Sequence, residues 1–192
     1  MSGSRDHPRV EVRRLDAARE ADFWRVHCAD HDCGWCACAA WWVPTWDGFS
    51  ARSAEENRTL RADLFRRGEH DGYLAYAGGE PVGWCQVGPR DRLAKLVRQY
   101  ALPPDPTCFA ITCFLVVPPA RRVGVARAML AAVLADLRAR GVARVEAYPH
   151  AEATADPLDL WTGPRCVYEE AGFRALDPAT PRPVLTLDLA SR

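Results

Sequence analysis

The chain has 192 residues, of which 48% are hydrophobic, so it is long enough and apolar enough to bury a sizeable core. Arginine plus lysine and aspartate plus glutamate number 25 each, and this balance excludes the electrostatic footprint of a nucleic-acid or anionic-membrane binder. Residues 1–22 are charged and lack the apolar segment of a secretory signal. No apolar run reaches the roughly 20 residues of a membrane-spanning helix. We therefore expect a cytoplasmic protein without nucleic-acid or membrane partners.

The sequence predicts one α/β domain over residues 10–192, preceded by a flexible segment of residues 1–9. Strands and helices of this domain are predicted in the N-terminal half from two kinds of pattern. Alternating apolar and polar residues predict strands, and leucines at helical spacing predict helices. Ser53 and Glu56 form the capping-box pattern that begins a helix. The elements expected here are a strand over 10–16, a helix over 17–28, a loop over 44–50, a helix from Ser53 ended by Gly68, and a hairpin over 72–87.

The C-terminal half centres on a buried strand followed by an amphipathic helix. Apolar residues repeat at helical spacing in that helix, at Ala126, Leu130, Val133, Leu134 and Leu137. The elements expected here are a short helix over 92–100, the buried strand over 108–117, the amphipathic helix ended by Gly141, a strand over 143–149, a helix over 164–171 and a last strand over 184–190. This order predicts a mixed α/β sheet.

The amphipathic helix begins with residues that helix formation alone does not require. Arg121 and Arg122 follow Pro119, and the small residues Gly124 and Ala126 come next. The first N–H groups of a helix have no intrahelical partner and lie at the positive end of its dipole, so small residues there let an anion approach the backbone. The segment therefore predicts a phosphate-binding turn. It lacks the Gly-Lys-Ser/Thr ending of a P-loop and the G-x-G-x-x-G of a dinucleotide site.

The pattern Arg-x-x-Gly-x-Ala at Arg121, Gly124 and Ala126 resembles motif A of the GNAT superfamily of acyl-CoA-dependent N-acetyltransferases, which binds the pyrophosphate of coenzyme A. Three further segments resemble the superfamily in the same order, namely EPVGWCQV (80–87), VARVEAYP (142–149) and VYEEAGF (167–173). The resemblance covers nearly the whole chain. It implies the GNAT fold, a mixed central β-sheet that splays apart at the acyl-CoA cleft and is flanked by helices.

The resemblance also implies acyl transfer from acetyl-CoA to a primary amine by direct attack in a ternary complex. A backbone N–H near Leu115 or Val116 would then polarise the thioester carbonyl. The cofactor-binding residues that it implies are Leu115, Val116, Val117, Arg121, Arg122, Val123, Gly124, Val125, Ala126 and Arg127. Many members carry an asparagine where this chain has Trp161, so no role is carried over to that position.

Two catalytic residues are candidates. Tyr168 matches the tyrosine that protonates the leaving thiolate in the superfamily, or alternatively one that only packs against the pantetheine. Glu146, on the strand beside the cleft, is a candidate general base, and a solvated or salt-bridged carboxylate is the other interpretation. His150 and Asp159 are further candidates on a loop near the expected acceptor pocket.

Cysteines crowd one short segment, at Cys28, Cys33, Cys36 and Cys38 together with His31. Four such ligands could bind zinc, but structural zinc sites usually pair two ligand groups separated by a dozen or more residues. Trp35, Trp41 and Trp42 interleave the cluster, which favours an apolar helical segment with buried reduced thiols and no metal. A third interpretation is that these aromatic residues line the acceptor site.

Two functions therefore remain open. The first is an N-acetyltransferase that acts on a small-molecule or peptide amine. The alternative is a catalytically silent acyl-CoA-binding sensor with the same fold. Homodimers are common in the superfamily, so a homodimer is a possible assembly. The acceptor itself is not specified by any residue pattern.

Overall fold

The computed structural model describes residues 9–29, 31–150, 160–176 and 182–190, and for residues 31–33 it describes the backbone alone. The strands are β1 (Val10–Arg14), β2 (Tyr73–Ala77), β3 (Glu80–Pro89), β4 (Cys108–Val116), β5 (Arg144–Ala147), β6 (Arg174–Ala175) and β7 (Leu185–Asp188). The helices are α1 (Glu20–Cys28), α2 (His31–Cys36), α3 (Trp46–Ser50), α4 (Ala54–Arg66), α5 (Ala94–Gln99), α6 (Val125–Ala139) and α7 (Arg165–Glu170).

All of these strands join one seven-stranded sheet with the order β1-β2-β3-β4-β5-β7-β6. Neighbouring strands run antiparallel except β4 and β5, which are parallel and are connected through α6. A parallel pair needs such a crossover, because a tight turn can join only antiparallel strands. The structure confirms the predicted mixed α/β fold.

The amphipathic helix α6 packs its apolar stripe against the sheet, contacting β1 to β4. Leu130, Val133, Leu134 and Leu137 are buried as predicted, whereas Ala126 is half-buried. Full burial of one such leucine or valine contributes about 1.5–3 kcal/mol, so this stripe fixes the helix on the sheet. The helix start is thereby held at the end of β4.

The capping box of α4 is present as predicted. The Ser53 hydroxyl accepts a hydrogen bond from the Glu56 backbone N–H, and the Glu56 carboxylate accepts one from the Ser53 N–H at 2.6 Å. On the same helix the buried Arg61 guanidinium donates to the carbonyl groups of Ala37 and Cys38 and to Gln86 Oε1. Arg61 therefore anchors the cysteine-rich segment to β3.

Three sequence predictions meet a correction or a limit. The expected loop over 44–50 contains the short helix α3, because the Thr45 side chain accepts a hydrogen bond from Gly48 N–H and caps it. Strand β6 was not predicted, since two residues cannot display an alternating pattern. The flexible segment expected over residues 1–9 lies outside the described residues except for Arg9. Within the described ranges, no helix is long and apolar enough to cross a membrane.

Candidate active site

The sheet splays apart between β4 and β5. These two strands pair only from Cys108 with Arg144 to Ile111 with Ala147, although β4 continues to Val116. On its other edge β4 stays paired with β3 as far as Val116. The end of β4 therefore presents an edge without a strand partner, and this edge forms one wall of a cleft.

The backbone N–H and C=O groups of alternate residues on β4 point into this cleft. Val117 N–H donates to Val82 O on the β3 side, and the two-residue period of a strand turns Leu115 toward β3 as well. The backbone N–H and C=O groups of Phe114 and Val116 consequently face the cleft. Of the two amides predicted to polarise the thioester, the Leu115 N–H points toward β3, whereas the Val116 N–H points into the cleft. The role of the Val116 amide stays a prediction.

The cleft-facing groups already have some partners. Phe114 N–H donates to the Trp161 carbonyl at 2.8 Å, and the Val116 carbonyl accepts from Arg121 Nε at 2.8 Å. The segment that carries Trp161 thus lies against the free edge of β4.

The predicted phosphate-binding turn lies where β4 leads into α6. Gly124 is the N-cap with a φ of 88°, a left-handed conformation that favours glycine. The first intrahelical bond runs from Ala128 N–H to the Gly124 carbonyl, so the N–H groups of Val125, Ala126 and Arg127 have no helical acceptor. Among the described residues, no side chain caps the helix, and a Cβ at Gly124 would meet nothing within 4 Å. The turn therefore offers open space in front of unpaired amides, as an anion site requires.

The side chains around this turn divide into two groups. Arg122 and Val123 are exposed, and Arg122 has a left-handed φ of 67°. Arg127 points away, toward α7, where it forms a bidentate ion pair with Glu170 at 2.6 and 2.9 Å. The predicted contribution of Arg127 therefore reduces to its backbone N–H, while the side chain of Arg122 is free to approach a phosphate.

Tyr168, on α7, is buried beside the cleft. Its ring packs edge-to-face against Phe114, and its hydroxyl donates to the Thr162 carbonyl at 2.6 Å. Burial raises the pKa of Tyr168 well above that of an ordinary phenol, with smaller contributions from Cys85 and Cys113. Gly163 leaves the room that the ring needs, since a Cβ there would lie 2.5 Å from the hydroxyl oxygen. The phenol is thus protonated and held next to β4.

Glu146 lies in a buried ion pair. Its carboxylate pairs with Arg90 Nη1 at 3.0 Å and accepts the Tyr148 hydroxyl hydrogen bond at 2.7 Å. The side chains of Glu146 and Arg90 are only 2% and 1% exposed. Burial opposes the charge of Arg90, yet the attraction of Glu146 raises its pKa above the usual value. The salt-bridged interpretation is therefore favoured over the predicted base, because the carboxylate is enclosed by its partners. Asp159 lies outside the described residues, and His150 is half-buried after β5.

The cysteine-rich segment is partly as predicted. Cys38 is buried and Cys36 half-buried, but Cys28 is exposed. Cys38 Sγ contacts Cys113 Sγ at 2.9 Å and His27 Nε2 at 3.2 Å. In the part of the chain that the structure describes, no three His, Cys, Asp or Glu side chains converge on a possible metal position. The interpretations that involve His31 and Cys33 lie outside the described side chains.

An aromatic pocket opens at the mouth of the splay. It is a cavity of about 320 Å³, and its described lining residues are Trp41, Trp46, Gln99, Tyr100, Tyr148, Trp161, Thr162 and Arg182. Trp41 Nε1 donates to the Thr112 carbonyl at 3.3 Å, and Tyr148 directly follows β5, so the pocket lies between the diverging strands. Of the three tryptophans that the sequence suggested as a wall of the acceptor site, Trp41 is among the described lining residues, whereas Trp35 and Trp42 are not. The contributions of Tyr100, Tyr148 and Arg182 were missed, because they come from distant segments without a shared motif.

A family described as the Acetyltransferase (GNAT) family matches residues 17–157. Among solved structures, a protein assigned to the GNAT family from Desulfovibrio desulfuricans superposes with a TM-score of 0.58 at 20% identity, covering 95% of this chain and 100% of that one. The ribosomal-protein-S18-alanine N-acetyltransferase of Escherichia coli gives 0.55 at 12% identity, covering 96% of each chain. The PaiA N-acetyltransferase of Thermoplasma acidophilum, solved in complex with coenzyme A, gives 0.55 at 11% identity, covering 94% of this chain and 99% of that one.

These structural likenesses show the fold. No protein with a curated description matches the chain. The family match extends over most of the sequence and includes both the phosphate-binding turn and the splayed strands. The chain therefore belongs to the GNAT acetyltransferase family.

Proposed function

We propose that the protein is an N-acetyltransferase that transfers an acetyl group from acetyl-CoA to a primary amine of a small molecule or peptide within a ternary complex. The observation that carries this proposal is the turn at Gly124, where three unpaired amides face open space beside the splay. Unpaired amides at the start of a long helix bind phosphate groups, and Arg122 adds a positive charge there. The residues present thus fit the pyrophosphate of coenzyme A.

Donor binding is tested by Gly124→Ala. Alanine disfavours the left-handed backbone conformation of this position, and its methyl group would occupy the open space in front of the amides. We therefore expect the dissociation constant for coenzyme A to rise about tenfold or more. Gly141→Ala is the matched control, because Gly141 ends the same helix with a φ of 75° and equally open surroundings. Calorimetry should show weaker binding in the first variant alone. Equal binding in both variants would remove the turn as the donor site.

Val116 and Tyr168 supply the proposed chemistry. The Val116 N–H faces the cleft and is suited to polarise the thioester carbonyl as negative charge develops on its oxygen. Tyr168 is the proposed proton donor to the departing thiolate, since its raised pKa keeps it protonated. The attacking amine loses its proton to water. Glu146 takes no part in this scheme, because it is enclosed in its ion pair.

The role of Tyr168 is tested by Tyr168→Phe, which keeps the ring and its contact with Phe114. Loss of the proton donor should lower kcat about a hundredfold or more while the dissociation constant for coenzyme A stays unchanged. A purely packing tyrosine would leave kcat within a few-fold of the original.

A second candidate function, acyl-CoA binding without turnover, is favoured by one observation. Phe114 N–H is bonded to the Trp161 carbonyl, and the Tyr168 hydroxyl is bonded to the Thr162 carbonyl, so one segment occupies both groups near the expected thioester. A coenzyme-release assay with a panel of amines separates the two functions. Release that depends on the amine supports the enzyme, whereas tight binding of acetyl-CoA without release from any amine supports the sensor.

A further inference from the structure

The aromatic pocket contains two polar atoms that no described residue satisfies. Thr162 Oγ1 and Arg182 Nη1 are both shielded from solvent, and neither has a hydrogen-bond partner within the described ranges. Thr162 is only 1% exposed, and both residues line the pocket. An unpaired buried polar group costs free energy, so such groups are normally paired in a working complex. A guanidinium and a hydroxyl that can both donate point to a ligand with acceptor oxygens.

The charged side chains described around the pocket are positive. Its described lining includes Arg182 and no aspartate or glutamate. The buried carboxylate of Glu146 accepts a hydrogen bond from the hydroxyl of the lining residue Tyr148 and is already paired with Arg90. Lys95 adds a second positive charge, because its Nζ lies 3.7 Å from the centre of the Trp46 ring. This field favours an anionic group on the ligand.

The tryptophan rings are not arranged as an empty cage for a cation. Lys95 already lies over Trp46, and the Arg182 guanidinium lies 5.9 Å from the centre of the Trp161 ring. The centres of the Trp41 and Trp161 rings are 6.0 Å apart and the ring planes are tilted by 35°, so the rings contact each other and leave no space for a ligand between them. They offer a wall for the flat or apolar body of a ligand instead.

We propose that the acceptor is an α-amino acid with an aromatic or large apolar side chain, bound in the aromatic pocket with its carboxylate on Arg182 and Thr162. Its side chain packs on Trp41 and Trp161. A cavity of about 320 Å³ lies at the small end of ligand-binding pockets, which suits one amino acid. The inference rests on the proposed acyltransferase function, since it names the acceptor of that reaction.

The reaction is balanced by the groups already described. The α-amine nitrogen forms a bond to the acetyl carbon while the C–S bond of the thioester breaks. The neutral amine releases one proton to water, the thiolate of coenzyme A takes one proton from Tyr168, its proposed donor, and the Tyr168 phenolate regains a proton from water. The products are an N-acetyl amino acid and free coenzyme A, and no further reactant is needed.

Binding without chemistry is the first test. With unacetylated coenzyme A bound, calorimetry compares L-phenylalanine with phenethylamine, which has the same ring and amine but no carboxylate. We expect phenylalanine to bind about tenfold or more tightly, because a buried charge-assisted hydrogen bond is lost in the amine. L-tryptophan and tryptamine form a second pair. Equal or tighter binding of both decarboxylated amines, or no binding of either amino acid, would overturn the proposal.

Two variants assign the carboxylate contact. Arg182→Gln and Thr162→Val should each remove most of the preference for phenylalanine over phenethylamine and leave phenethylamine binding unchanged. Arg138→Gln is the control, since Arg138 is an exposed arginine on α6 away from the pocket lining. Unchanged discrimination in Arg182→Gln contradicts the proposal. Thermal unfolding of each variant shows whether it has kept its fold, and Thr162→Val, which preserves shape, keeps the test valid if Arg182→Gln unfolds.

Turnover then separates this inference from the proposed function. If phenylalanine binds as expected but neither it nor any other amine of the panel releases thiol from acetyl-CoA, the acyltransferase proposal fails while the carboxylate site stands. If thiol is released equally well with phenethylamine and phenylalanine at limiting concentrations, the carboxylate site fails while the acyltransferase stands. The two failures are therefore distinguishable in the same pair of assays.

Discussion

Removing the carboxylate of Glu146 should destabilise the protein far more than it affects catalysis. In Glu146→Ala the Arg90 guanidinium, 1% exposed, loses its 3.0 Å partner, and the Tyr148 hydroxyl loses its acceptor. Breaking a buried ion pair from one side costs about 3–5 kcal/mol. Arg90 keeps Asp91 at 3.1 Å and the carbonyl of Pro103, so we expect a loss near the lower end, about 3 kcal/mol.

The assay is urea unfolding followed by tryptophan fluorescence, which gives the free energy of unfolding of each variant. Glu11→Gln is the matched control, because Glu11 forms an ion pair with Arg13 in which both partners are exposed. Such a pair contributes about 0–1 kcal/mol, so its loss should hardly move the unfolding midpoint. The double variant Arg90→Met/Glu146→Leu should recover most of the lost stability, since apolar residues can replace a buried ion pair.

The opposite pattern would refute this explanation of Glu146. If Glu146→Gln unfolds at the same urea concentration as the original protein but loses about a hundredfold in kcat, together with the acidic limb of its pH–rate profile, then Glu146 is a general base. Its burial in the ion pair would then describe only a resting arrangement of the site.

Two further outcomes follow from Gly163 and Lys95. Gly163→Ala places a Cβ 2.5 Å from the Tyr168 hydroxyl oxygen at a φ of 91°. Urea unfolding should therefore show a loss of about 2–3 kcal/mol in the free energy of unfolding, and a smaller loss in a Tyr168→Phe background. An equal loss in both backgrounds would mean that backbone strain alone is responsible. Burial lowers the pKa of Lys95 from 10.5 to about 8, so between these pH values the unfolded chain holds a proton that the folded protein has lost. The free energy of unfolding should therefore rise with pH in this window relative to Lys95→Met, and parallel pH curves for the two proteins would contradict the lowered pKa.

Features that depend on neighbouring residues could be predicted from the sequence. The capping box of Ser53 and Glu56 and the turn at Gly124 both follow from spacings of a few residues, because one helical turn brings those groups together. The motif order also identified the family and therefore the fold. Local patterns were sufficient for the site that is expected to bind the donor.

Features that depend on distant pairings could not be predicted. Glu146 looked available on its strand, yet its partner Arg90 lies 56 residues earlier and meets it only after β3, β4 and β5 assemble. The aromatic pocket likewise combines Trp41, Tyr100 and Arg182 from separate segments. The direction of Leu115 depended on its register with β3, which a single strand does not reveal.

The bond between Phe114 N–H and the Trp161 carbonyl has a kinetic consequence. If the pantetheine arm of coenzyme A pairs with this amide, the segment of Trp161 must first detach, and its next residue, Thr162, lines the aromatic pocket. Binding of acetyl-CoA would then change the shape of the acceptor's binding site. This favours a compulsory order of addition in which acetyl-CoA binds first. Product-inhibition patterns would reveal that order, with free coenzyme A competing against acetyl-CoA and departing last.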